Sequence, residues 1–398
     1  MQGFFNIDEP DSPVKHSFGC DSCGLGAKSG NKFVDAVGKN RENILIVTKS
    51  PPFEKDRLHG SYEKVLGDIL KKNFGLDIYR DCRVISAVNC ASTSVTSKQV
   101  EACRFRVIEE VEKQVPGSLV ILAGNQAITS VIGTRWKKRL HLPNISAEDR
   151  WRGWCIPDRE YGKWLCPLSI SNIFDDRSGH IYKEQIIQDL EKYLNLDDIH
   201  YPPTPEIQYL YDSSDIIRLL QDLTDIDTPV AVDYETTGLK PQRKGHRIVS
   251  MGVAPSPNKG YAWMVDSISN ARVKEAVQDW WESCTPKIAG NMSFETVWTD
   301  AFFMVKPENW IGDTVLGAHV LDNRPGTTSV KFQTYARLGI CGYDDDVSEY
   351  LKAQDDKDAT AFNRIHMIPE KTLLEYNALD CVYEYRLWCI MKKELGIK

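Results

Sequence analysis

The chain lacks any apolar run approaching the roughly 18–20 residues that a membrane-crossing helix requires. Its start, MQGFFNIDEPDSP, lacks the basic opening and apolar core of a secretory signal. A cytoplasmic protein with no membrane association is therefore expected, with its eleven cysteines as reduced thiols or metal ligands rather than disulfides. Low-complexity tracts and internal repeats are missing too, which excludes a disordered chain or a solenoid. There is no surplus of basic residues: the net charge is −7, which argues against gripping nucleic acid by charge alone. The charge is uneven, with 28 Lys+Arg against 27 Asp+Glu in residues 1–200 and 21 against 29 in residues 201–398. An acidic half whose carboxylates hold metal ions can still act on a phosphodiester, because the ion inverts the local field.

What is present is the composition of a globular protein, 398 residues long with 42% hydrophobic and 26% charged residues, enough for two domains or three. The boundary is expected in LDDIHYPPTPEIQYL (196–210), where a helical pattern stops and Pro202, Pro203 and Pro205 favour extended chain. This gives a domain over 1–197, a linker over 198–206 and a domain over 207–398. In the first, ILIV (44–47), RVISAV (83–88) and SLVILAG (118–124) alternate with helical stretches, an α/β sandwich with a mostly parallel sheet. In the second, IQYLY, PVAVDY, RIVSMGV and YAWMV read as strands of a mixed sheet, and helices dominate from Val273 onward.

The stretch VAVDYETTGLKP (230–241) carries two carboxylates, Asp233 and Glu235, one residue apart at the end of an apolar strand. Strand side chains alternate, so both point to one face and repel unless a cation lies between them; the plain alternative is an edge pair facing solvent. Two further segments bear on the choice. KIAGNMSFETVW (287–298) reads as strand, turn and a helix carrying Glu295, and KTLLEYNALDCVYEYRLW (371–388) as a helix with Tyr376 and Asp380 on one face. GDTVLGAHVLD (312–322) reads as a helix with an acidic start. Four convergent acids suit a pair of divalent ions that clamp a phosphate and activate water.

DYETTGL, GNMSFE and YNALD, in that order, resemble the three motifs of the DEDD exonucleases in their tyrosine-bearing, DnaQ-like form, most closely the proofreading domain of family A DNA polymerases. The resemblance spans about Val230 to Leu395 and implies a ribonuclease H-like fold, two Mg²⁺ or Mn²⁺ ions and 3′→5′ hydrolysis. It implies that Asp233, Glu235 and Asp380 ligate the tighter ion, that Asp233 bridges to the second, and that Glu295 holds the second directly or through water. It assigns Tyr376 to orienting the water, and Thr236, Leu239, Asn291 and Phe294 to the substrate end. Two departures stand out: Glu295 where most of the family has Asp, and Gly290 where it has His.

In the first half, Cys20 and Cys23 form a C-x2-C in a Gly-rich stretch, and Cys90 and Cys103 follow much later. Spacing leaves zinc, an iron–sulfur cluster and unliganded thiols open; the other seven cysteines read as core residues. The order of segments across about residues 16–195 is similar to the iron–sulfur uracil-DNA glycosylases of families 4 and 5. That resemblance implies a [4Fe-4S] cluster on Cys20, Cys23, Cys90 and Cys103. The family's catalytic loops are replaced here by Thr48–Pro52 and Ile170–Asn172, which implies a degenerate glycosylase. Asn89 keeps a position that could read a pyrimidine edge. RWKKRLHL (135–142) and RWRGWC (150–155), with Arg150 and Arg152 beside tryptophans, suit DNA phosphates and bases or, more plainly, a solvated face.

The expectation is a 3′→5′ exonuclease on single-stranded DNA ends, either a fragment or the proofreading subunit of a polymerase, with the glycosylase-like module binding DNA or docking. The arrangement resembles polymerases of large tailed bacteriophages, which would place it in the host cytoplasm. The rivals are a non-catalytic replication adaptor and an active glycosylase fused to an exonuclease.

Overall fold

In the computed structural model the described residues are 23–25, 34–51, 61–92, 94–134, 136, 146–175, 177–265, 270–355 and 357–397. They divide into two units, Met1–Cys155 with Glu160–Ile199, and Ile156–Arg159 with His200–Lys398. Residues 196–205 form no helix or strand, as the prolines require.

In the first unit the strands β1 (Ile44–Thr48), β2 (Cys82–Ser86), β3 (Leu119–Ala123) and β4 (Lys163–Leu168) are all parallel, in the order β2-β1-β3-β4. Alternation sends Ile44 and Ile46 of β1 into a core with Leu66, Ile69 and Leu70 of α1 (Ser61–Phe74) and Ile186 and Leu190 of a later helix, Gly179–Leu194. The opposite face is covered by the helices Ser97–Glu112 and Asn125–Val131. Thr96 and Gln99 form a capping box at the first of these, which fixes where that helix begins.

The second unit has a six-stranded mixed sheet. Its strands are β5 (Glu206–Tyr209), β6 (Val230–Thr236), β7 (Ile248–Ser256), β8 (Lys259–Met264), β9 (Lys287–Ala289) and β10 (Trp310–Asp313), in the order β10-β9-β6-β7-β8-β5. β7 is antiparallel to β6 and β8; the other neighbours are parallel. The period of two divides the side chains of β6. Val230, Val232 and Tyr234 enter an aromatic core with Trp263, Trp280, Trp281 and Trp298, while Ala231 packs with Ile288, Cys381 and Val382 on the other face. Helices dominate after Val273, with the expected short strand at Lys287–Ala289 and one further strand. Trp310–Asp313 takes the start of what reads as a single helix, and Asp313 caps the helix Thr314–Leu321 by accepting from Leu316 N at 2.7 Å.

The 25-residue helix α2 (Glu370–Glu394) crosses β6, β7 and β8. It can lie close because the strands present small residues to it. A Cβ on Gly252 would stand 2.8 Å from Cys381 Sγ, and one on Gly260 would stand 2.8 Å from the Ala378 carbonyl oxygen. Gly252 is the register partner of Asp233, so the approach that brings α2 down also brings it to the acidic strand end. We predict that Gly252→Ala lowers stability by about 1–3 kcal/mol through overpacking. A denaturant midpoint equal to that of the parent chain would contradict this close approach.

Candidate active site

β6 carries Asp233 and Glu235 toward α2, which presents Asp380. The carboxylate oxygens of these three residues lie within 4.8 Å of one another. Glu235 and Asp380 are buried and Asp233 is half-buried, open to solvent on one side. Glu295, in the first turn of the helix Met292–Phe303, is 2% exposed and its Oε2 has no hydrogen-bond partner. It stands outside the 4.8 Å group but is coupled electrostatically to Asp233 and Glu235.

Burial and like charge act in the same direction here. Burial, then Asp380, pushes the Asp233 carboxyl from its ordinary 3.8 up to about 8. Burial, then Asp233, also raises Glu235 and Glu295 well above the usual carboxylate range. The cation facing them is Lys331, on the helix Val330–Leu338. Its Nζ donates to Asp380 Oδ2 at 2.8 Å and to the Tyr376 hydroxyl at 2.5 Å, and lies 4.8 Å from the Tyr376 ring centroid. Burial opposes that ammonium most, but Asp380, Glu235 and Asp233 together outweigh it and hold the lysine charged. Tyr343 OH donates to Asp380 Oδ1 at 2.6 Å, and Asn377 Nδ2 donates to Asp233 Oδ2 at 2.7 Å. One ammonium does not balance this many carboxylates, and an all-oxygen donor set of this kind fits hard divalent cations.

The other expected substrate residues are divided. Leu239 is 55% exposed in the loop just past the strand. Asn291 is exposed at the start of its helix, and Phe294 is half-buried, with its ring 6.0 Å from that of Trp298. Thr236 is buried and its hydroxyl donates to Gly238 O at 2.7 Å, which shapes the turn. Asn363 braces the same turn, donating from Nδ2 to Thr236 O at 2.8 Å. Asn377 was findable, being one turn before Asp380 on the same helix face. Lys331, Tyr343 and Asn363 come from distant segments and carried no comparable signal.

In the first unit, Cys90 and Cys103 pack with Leu25, Val88 and Val100, and Cys23 lies against that cluster; Cys20 lies outside the described residues. Of the other seven cysteines, Cys284 and Cys389 are exposed, so they are not core residues. Arg150 is 4% exposed, with its guanidinium over Trp136 and Trp151, so it is not free for phosphates. Arg152 is half-buried, and most of 135–142 lies outside the described residues. Asn89 is buried and its Nδ2 donates to Val34 O at 3.0 Å, where no pyrimidine edge can reach it. Sequence reasoning also passed over Glu148. This buried carboxylate accepts from Asn125 N at 3.0 Å, Ile170 N at 2.9 Å and Ser171 N at 3.0 Å, and so ties together the loops at the carboxyl ends of β3 and β4.

This sheet, with acids on the central strand and on the helix crossing it, defines a DnaQ-like exonuclease domain, and residues 207–396 match the family model described as 3′-5′ exonuclease. That domain class is a nuclease. Similar solved structures include NrnC of Brucella melitensis, 18% identical, covering 49% of this chain and 83% of that one with a TM-score of 0.35. The catalytic core of RRP6 from Trypanosoma brucei is 15% identical, covering 50% of this chain and 49% of that one with a TM-score of 0.37. The Nibbler EXO domain of Aedes aegypti is 15% identical, covering 50% of this chain and 93% of that one with a TM-score of 0.37. Another NrnC structure contains bound Mg²⁺. No curated protein sequence matches the chain. Among the described residues no helix is long and apolar enough to cross a membrane.

The raised carboxyl of Asp233 carries a pH prediction. Between its ordinary 3.8 and the shifted value of about 8, the folded chain holds a proton that the unfolded chain has lost. Stability without metal therefore falls as pH rises through that window. A divalent ion needs the deprotonated form, so Mn²⁺ should raise the unfolding temperature more at the upper end of the window than at the lower. Equal shifts at both ends, measured by thermal unfolding with and without Mn²⁺, would contradict this coupling.

Proposed function

We propose that the second unit is a metal-dependent 3′→5′ exonuclease acting on single-stranded DNA ends, as the proofreading part or partner of a DNA polymerase. The observation that carries this reading is the convergence of Asp233, Glu235 and Asp380 within 4.8 Å, in a domain matched to 3′-5′ exonucleases over residues 207–396. Asp233, Glu235 and Asp380 would hold one divalent ion, with Glu295 on the side of a second. Such ions, when bound, supply Lewis acidity to the phosphate and to the attacking water.

The chain's own groups do the rest. Asn377 and Tyr343 fix one oxygen each of Asp233 and Asp380, which preorganises the donors. The Tyr376 oxygen accepts from Lys331, so its own proton is directed to a water or a phosphate oxygen. The Lys331 ammonium beside Asp380 would offset negative charge that develops on the phosphate. Leu239, exposed beside the strand end, offers an apolar surface to a terminal base. A paired end would have to melt to enter, which favours single strands.

For the first unit we propose a DNA-binding or docking module whose Cys23, Cys90 and Cys103, with Cys20, hold a [4Fe-4S] cluster. The packing of the three described cysteines about one apolar cluster supports this reading.

A 5′-labelled single strand with Mg²⁺ or Mn²⁺ should give a ladder of shortened products. Asp233→Ala and Asp380→Asn should each reduce the rate at least about a hundredfold; full activity in both would exclude this site, and cleavage within an end-blocked strand would exclude the exonuclease reading. Elemental analysis of anaerobically purified protein should find iron. Tightly bound zinc without iron would refute the cluster.

A further inference from the structure

We propose that Glu384 is a fifth carboxylate of the metal centre and holds, with Glu295 and Asp233, the second divalent ion; this rests on the exonuclease reading above. Glu384 follows Asp380 by four residues on α2, so the two share a helix face. It is 2% exposed, and its Oε2 is buried without a hydrogen-bond partner. Its charge is felt at the site: burial, then Asp233, Asp380 and Glu295, raise its carboxyl well above the usual range. Glu295 Oε2 is the other orphaned carboxylate oxygen of this neighbourhood. Neither Glu295 nor Glu384 belongs to the 4.8 Å group of Asp233, Glu235 and Asp380; two further buried oxygens, both unpaired and both influenced by Asp233, are what a second cation would satisfy.

The neighbouring strand explains how Glu384 gets there. In the parallel pairing of β9 with β6, Ile288 is the partner of Ala231, and Gly290 follows Ile288 by two residues as Asp233 follows Ala231. Gly290 therefore lies just past the carboxyl end of its strand, at the same end of the sheet as Asp233. A Cβ on Gly290 would collide with Glu384 Oε1, so the glycine leaves the space that the carboxylate fills. A side chain at position 290 would displace the Glu384 carboxylate from the place it holds. The small residue and the extra acid form one feature, on the side of the site where Glu295 replaces a shorter Asp.

The test is Mn²⁺ binding to the full chain, counted by titration calorimetry and by the paramagnetic signal of the free ion. The parent chain should bind two ions. Glu384→Gln, which keeps size and removes charge, should weaken one of them at least about tenfold and leave the other unchanged. Gly290→Ala should do the same with every carboxylate residue left in place, because its Cβ displaces Glu384 Oε1; Gly290 is not at positive φ, so its backbone accepts alanine. Two ions of parental affinity in both variants would overturn the role of Glu384 while the exonuclease reading stands. A parent chain that binds no Mn²⁺ would bring down that reading and, with it, this one.

Discussion

Mutual repulsion among buried carboxylates is the constraint around which the second unit is organised. Asp233, Glu235 and Asp380 are held within 4.8 Å, Glu295 and Glu384 feel their charge, and among the described residues a single ammonium, that of Lys331, makes a direct ion pair with one of the group. Such a cluster resists assembly, because each charge loses hydration and meets like charge in a low-dielectric site. The fold opposes it with apolar packing placed away from the acids. Trp263 on the far face of the sheet packs with Trp280, Trp281 and Trp298 from helices that cover it, and Leu387, Trp388 and Met391 anchor the far end of α2. The acids are thus fixed by elements whose stability comes from elsewhere, which is what preorganisation of a metal centre requires.

The same helix carries the proximity and the chemistry. α2 supplies Tyr376, Asn377, Asp380 and Glu384 within nine residues, and it reaches the acidic strand end because Gly252 and Gly260 leave room beneath it. Lys331 and Tyr343 close the site from the segment before α2 and tie up both oxygens of Asp380. The Lys331 ammonium offsets part of the negative charge by pairing with Asp380.

In the first unit, polar groups at the carboxyl ends of the strands are used to hold loops together. Glu148 collects backbone amides from the loops after β3 and β4, and Asn89 and Arg150 turn inward. Each carries hydrogen bonds or ring contacts that a solvent-facing role would break. What the sequence presented as a basic, aromatic surface is in part a buried support, because Trp151 is fully enclosed and draws Arg150 in with it.

The sequence by itself determined the strands and helices that have a clean period, and with them the acidic residues at the end of β6. The alternation in VAVDYET could be read directly, as could the pairing of Tyr376 with Asp380 one turn apart, because both follow from local geometry. Local geometry did not suffice for Asp313, where a strand ends at the residue that caps the next helix. Only the tertiary structure decided that Lys331 and Tyr343 face Asp380, that Thr236 serves its turn, and that Glu384 occupies the space beside Gly290. Those outcomes depend on which segments meet across the sheet, and periods of two and 3.6 carry no information about contacts between residues tens of positions apart.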